Sequence, residues 1–119
     1  MSKQTLGKWG EKFAEKHLVN NGFAILDRNV RTPYGELDLV AIKGKVLVFV
    51  EVKTRSTISF GYPEEAITQV KKEHIIQAAQ AYLMTSPYAD YDWQIDVIAI
   101  QRFRRGKQPA LTHFENAFT

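Results

Sequence analysis

Residues 35–55, GELDLVAIKGKVLVFVEVKTR, decide how this chain folds. They read as two strands joined by a tight turn. Lys43 and Gly44 stand at its tip, since Gly permits the positive φ that a two-residue hairpin loop needs. If only these two form the loop, Ile42 faces Lys45 and Glu36 falls opposite Glu51. If Lys45 and Val46 join the loop, Asp38 falls opposite Glu51 instead. Side chains alternate between faces along a strand, and the two registers share the same parity. In both, Glu36, Asp38, Glu51 and Lys53 gather on one face at the end remote from the turn. A three-residue loop would separate them.

Such a cluster is costly to hold. The stretch 45–52, KVLVFVEV, is apolar on both faces except at Glu51, the pattern of a strand covered on both sides. An unpaired carboxylate there costs several kcal/mol (order of magnitude), or its pKa shifts until it is neutral. Carboxylates converging with one lysine suit a hard divalent cation such as Mg2+, which prefers oxygen ligands. The lysine can then orient a water or stabilise charge on a phosphoryl oxygen. The alternative is a cross-strand salt bridge on a hairpin with one wet face, which contributes only about 0.2–1 kcal/mol. The apolar character of both faces and the concentration of acids at one end weigh against it.

Outward from the hairpin, the composition sets bounds. The chain has 119 residues, 45% hydrophobic and 24% charged, which fits one globular domain spanning 1–119. A net charge of +3 and a pI near 9.2 lean toward an anionic partner. With no cysteine, disulfides, thiolate metal sites and cysteine nucleophiles are excluded. No apolar segment marks a signal peptide, and the longest apolar run, Val46 to Val50, cannot span a membrane. A cytoplasmic protein with no membrane partner is expected.

Residues 5–21 read as a helix with Leu6, Trp9, Phe13 and His17 on its apolar stripe, widened by Ala14 and Leu18 and stopped by Asn21-Gly22. Residues 23–28 read as a strand, and NVRTPY, 29–34, as a polar connection bearing Arg31. Residues 55–62 form a loop over the site, with Phe60 and Tyr62 available to a base or sugar. A second helix follows, with Pro63 in its first turn and Glu64 and Glu65 complementing its dipole. It runs to Met84, with Ile67, Val70, His74, Ala78 and Tyr82 along its buried face and Lys71 within that stripe. His74 reads as a core histidine. The three histidines show no metal-ligand spacing. Residues 93–101 read as a central strand whose odd charge, Asp96, is a structural acid expected to pair with an arginine. RFRRGK, 102–107, is a basic turn, and 111–116 a final edge strand.

The residues Asp38 and Glu51-Val52-Lys53 resemble the D…ExK core of the restriction-endonuclease-like nucleases. GELDLVA, VFVEVKTR and FGYPEEAI followed by a lysine resemble, more narrowly, the YraN family of small bacterial proteins, related to archaeal-type Holliday junction resolvases. The likeness runs from about Gly7 to about Ile100. It implies an α/β domain, a restriction-endonuclease-like mixed sheet flanked by helices in the order αβββαββ. It also implies a Mg2+- or Mn2+-dependent endonuclease in which Asp38, Glu51 and the Val52 carbonyl hold the metal. Lys53 would position the attacking water, and Glu36 would add a further ligand or support one. Gly7, Gly10 and Glu11 match the family's Gly-x-x-Gly-Glu, and Lys71 its helix lysine, so Glu11 and Lys71 are accessory candidates. The family usually has an arginine two places before Asp96, where this chain has Gln94. Arg55, Lys71, Arg102, Arg104, Arg105 and Lys107 are candidate backbone contacts to DNA, the expected partner. Branched or structured DNA as substrate, and a homodimer that cuts symmetrically, follow from the resolvase likeness alone. A nucleic-acid-binding module of the same fold without catalysis, or a scaffold for a protein partner, remains the alternative.

Overall fold

The computed structural model describes residues 2–56, 67–103 and 106–118. Helix α1 spans Lys3–Asn20 and strands β1, β2 and β3 span Ala24–Thr32, Gly35–Lys43 and Val46–Arg55. Helix α2 covers Gln69–Met84, and β4 and β5 cover Asp92–Gln101 and Ala110–Phe114. The element order is the expected αβββαββ. The five strands form one sheet in the order β1-β2-β3-β4-β5, antiparallel throughout except for the parallel pair β3–β4. This is a mixed α/β sheet, with β5 on the expected edge.

Each helix closes one face. On α1's side, Ala14, Leu18 and Phe23 pack with Leu39, Ala41, Val48, Val50, Ile98 and Ile100. On α2's side, Ile75, Ala78, Ala79 and Leu83 pack with Val40, Leu47, Phe49 and Ile95. Strand β3 lies between these layers, which explains its apolar residues on both faces. The Ser2 hydroxyl accepts from the Thr5 N–H at 3.1 Å and starts α1 two residues earlier than the stripe predicts. Gly22, at φ +89°, ends it.

Four local expectations need correction. The hairpin takes the second of the two expected registers, which puts Asp38 at the level of Glu51, but Lys43 pairs with Val46, so Gly44 and Lys45 form the turn rather than Lys43 and Gly44. Gly44 has φ +61° while Lys45 does not have a positive φ, the pattern in which glycine takes the first loop position. Strand β1 continues through most of the supposed connection to Thr32, because the polar residues there sit on an edge strand that is solvated on one side. Helix α2 begins after Thr68, whose hydroxyl accepts from the Lys71 N–H at 3.2 Å, so Ile67 lies outside it. Its buried face is Ile75, Ala78, Ala79 and Leu83, while Val70 is 61% exposed and His74 is exposed too. Apolar residues surround this helix, so its periodicity fixes the phase poorly. The readings of Phe60, Tyr62, Pro63, Glu64 and Glu65 fall outside the described residues.

Candidate active site

The end of the β2–β3 pair away from the turn is where the ladder stops being regular. Residue pairing runs from Lys43↔Val46 to Leu39↔Val50, and the same register brings Asp38 to the level of Glu51. There the backbone no longer pairs, and the Asp38 side chain takes over: its Oδ2 accepts the Val52 N–H at 2.8 Å. The disturbance reaches the neighbouring strand. Between Arg28↔Leu39 and Val30↔Leu37, Asn29 and Asp38 face each other as the skipped pair, and Asn29 has a left-handed φ of +49°. Leu37 then packs on the α2 side although Leu39 packs on the α1 side. The strict alternation that would put both on one face is therefore broken at Asp38.

Glu51 is 7% exposed and is held by two amines. Lys71 Nζ stands 3.2 Å and Lys53 Nζ 3.5 Å from the same oxygen, Oε1. Among the described residues, Asp38 has no amine within ion-pair distance. Burial, and after it the charge of Glu51, pushes its pKa up to about 8, against the pull of the Val52 N–H. Lys53 is shifted down by burial and by the adjoining Lys71. These carboxyls are thus near enough to repel, and the charge of Asp38 bears on both lysines. The structure brings Asp38, Glu51, Lys53 and Lys71 together.

Glu36 and Glu11 sit at the rim. Glu36 is exposed, and both carboxylates accept from the Asn29 side-chain amide, Glu11 at 3.0 Å and Glu36 at 3.1 Å. The charge of Glu11 also raises the Asp38 pKa. Asn29 lies one residue beyond the strand expected from the sequence, within the β1 that the structure shows. An asparagine inside an alternating stretch, where strands seldom hold one, was the available signal. A cleft of about 350 Å³ opens beside the acids, lined by Tyr34, Glu36, Glu51, Lys71 and His74 among others.

Two adjacent carboxylates, one lacking compensation, fit a hard divalent cation: added positive charge would relieve their repulsion, and all donors are oxygens. Asp38, Glu51 and the Val52 carbonyl could hold it.

The basic candidates divide. Arg55 ends β3 one strand-turn beyond Lys53, and its carbonyl accepts the Arg102 N–H at 2.7 Å, so both lie at the end of the sheet where the acids are. The Arg102 guanidinium lies 4.8 Å from the centre of the Trp9 ring. Lys107 is exposed, and Arg104 and Arg105 fall outside the described residues.

Among the described residues Asp96 pairs with a histidine and not with the expected arginine. It is fully buried, and His113 Nε2 lies 2.7 Å from its Oδ2. Its Oδ1 accepts from the Gln94 amide at 2.8 Å and from the Asn116 N–H at 2.9 Å. Gln94 thereby fills the place where the family's arginine was expected. His113 Nδ1 meets His17 Nε2 at 3.1 Å, so two histidines far apart in sequence do come together. Asp96, His113 and Glu115 bring ligand atoms within 4.8 Å of one another, but the Asp96 oxygens already serve three donors.

Among the described residues no helix is long and apolar enough to cross a membrane. The model of the uncharacterised protein family UPF0102 matches residues 10–100. A UPF0102 protein of Syntrophotalea carbinolica is 48% identical over 96% of this chain and 91% of its own length. One from Alkaliphilus oremlandii is 43% identical over 95% of this chain and 97% of its own. Among solved structures, Archaeoglobus fulgidus Hjc, a Holliday junction resolvase, is similar with a TM-score of 0.54 at 20% identity, covering 88% of this chain and 72% of that one. That likeness concerns the fold, which is restriction-endonuclease-like. With most of its length matched by the family model and close to half its residues shared with a relative of equal extent, the chain belongs to the uncharacterised protein family UPF0102, the YraN family.

Proposed function

We propose that this protein is a metal-dependent endonuclease that hydrolyses phosphodiester bonds in DNA. The observation that carries it is the gathering of the half-buried Asp38 carboxyl and the buried Glu51 carboxyl, Glu51 being paired with the Lys53 and Lys71 amines, at one end of the sheet. Asp38, Glu51 and the Val52 carbonyl would hold Mg2+ or Mn2+. Bound there, the cation supplies charge neutralisation at a phosphoryl oxygen and a more acidic water. Asp38 is aimed by the Val52 N–H, which fixes its Oδ2. Lys53 hydrogen-bonds the attacking water or the developing phosphoryl charge, and its lowered pKa makes its proton easier to share. Lys71, partly exposed and lining the cleft, is placed to meet a substrate phosphate. Arg55 and Arg102 extend the cationic surface along the same sheet end. DNA as the partner, and branched DNA in particular, is supported by the resolvase fold and by this surface. A homodimer is the matching arrangement for symmetric cuts.

The test is cleavage of junction, flap and linear DNA with Mg2+, Mn2+ or EDTA. Metal-dependent cutting is expected, falling by at least about 100-fold in Asp38→Ala, Glu51→Ala and Lys53→Ala. One observation favours a second reading, a DNA-binding module without catalysis: Glu51 is already neutralised by two lysines. Binding of DNA that ignores metal and survives Asp38→Ala, with no cleavage, would establish that alternative.

A further inference from the structure

Asn29 stands at a single skipped position in the β1–β2 ladder, whose register is the same on either side of it. It faces Asp38 across the β1–β2 ladder, and both residues are skipped by the hydrogen-bonded register. Its φ of +49° is a conformation that most L-residues avoid and that asparagine, aspartate and histidine tolerate best. An amide –NH2 has two hydrogens to donate. Asn29 directs both to carboxylates from different elements, Glu11 of α1 and Glu36 of β2. Two like charges brought to one amide in this way repel each other, and the shared donor offsets that repulsion. Held as they are, the charge of Glu11 is felt at Asp38.

We propose that Asn29 is a positioning residue for cation binding, clamping Glu11 of α1 and Glu36 of β2 at the rim of the Asp38–Glu51 site. This rests on the metal-site reading given above. The clamp gives the site two further negative groups at fixed distance, and it couples the docking of α1 to cation affinity through one side chain. A donor behind the ligands of a metal site commonly contributes 10- to 100-fold in affinity.

The experiment is a titration of the full chain with Mn2+ alone, free ion being followed by electron paramagnetic resonance and no DNA being present. Asn29→Gly keeps the left-handed backbone and removes the amide, and is expected to weaken Mn2+ binding about tenfold or more. Glu11→Gln should weaken it as well, and the double variant should bind no more weakly than the weaker single one, since both remove the same clamp. Asn29→His, which also tolerates the left-handed region but offers a single donor at a time, should fall between wild type and Asn29→Gly, and it keeps the test open if the glycine variant does not fold. Wild-type affinity in Asn29→Gly or Asn29→His, or losses that multiply in the double variant, would overturn the clamp. Asp38→Ala separates the two levels. If it removes binding while Asn29→Gly does not, only the clamp fails, and if it binds Mn2+ like wild type, the metal site and the clamp fall together.

Discussion

Asp38 is the residue on which charge and burial conflict most. Its neutral form is favoured in the folded chain up to about pH 8, whereas in the unfolded chain it ionises near 3.8. A raised pKa of this kind stabilises the fold fully below the unfolded value, and that contribution is lost as pH climbs toward 8. In EDTA, Asp38→Asn should therefore be more stable than wild type at pH 8, by roughly 1–3 kcal/mol, with the difference shrinking toward pH 4. Thermal melts across this range measure it. Saturating Mn2+ should reverse the order, because only the wild-type carboxylate gains from the cation. A wild type that is the more stable one at pH 8 in EDTA would mean that the lysines already compensate both acids. The acidic pair was legible in the sequence because Asp38 and Glu51 stand out within apolar strands. The amide that ties down Glu11 and Glu36 was not, since it acts through a backbone irregularity that no strand pattern encodes.

At the scale of elements, two glycines of α1 that look alike in sequence differ in what surrounds them. A Cβ added at Gly10 would lie 1.9 Å from Thr54 Oγ1 and 2.9 Å from Thr54 Cβ, so the helix meets β3 through bare backbone. At Gly7 nothing comes within 4 Å. Gly10→Ala should cost about 1–3 kcal/mol by lifting α1 from the sheet. It should also weaken whatever depends on Glu11, the next residue. Gly7→Ala should be neutral or add roughly 0.5–1 kcal/mol, since alanine is the better helix former. Denaturant melts of the two variants check the contrast. The helix itself was readable from its apolar spacing, and so was the hairpin. The limits of β1 and the phase of α2 were not. An edge strand carries polar residues that mimic a loop, and a helix with apolar residues around its circumference offers no single stripe.

At the scale of the whole molecule, a polar chain ties α1, β4 and β5 together on the face opposite α2. Burial alone would raise the Asp96 pKa, but hydrogen bonds from His113, the Asn116 N–H and Gln94 hold it below the usual carboxylate range. His17 is lowered by burial and by His113. Both are depressed pKa values, so each contributes stability present above its unfolded value and lost as pH falls through its folded one. Acid should thus loosen the fold in two stages, one beginning below about pH 6.5 from His17 and a later one from Asp96. His17→Gln should remove the first stage and leave the second. Asp96→Asn should lower stability at neutral pH by roughly 1.5–3 kcal/mol, through loss of hydrogen bonds to a charged acceptor. Urea melts between pH 4 and 8 distinguish these outcomes. Asp96 was recognised in the sequence as a structural acid, but its histidine partner was not, because residues 17, 96 and 113 meet only once the sheet has closed.

The parallel pairing of β3 with β4 bears on the order in which the chain assembles. Strands β1, β2 and β3 follow one another through short turns and can zip together from local encounters, whereas β4 must wait for α2 to cross over the sheet. Asp38, Glu51 and Lys53 all belong to the early piece, and Lys71 arrives with the late one. The nascent meander therefore brings two like charges together with a single amine at hand, and the second amine locks the arrangement afterwards.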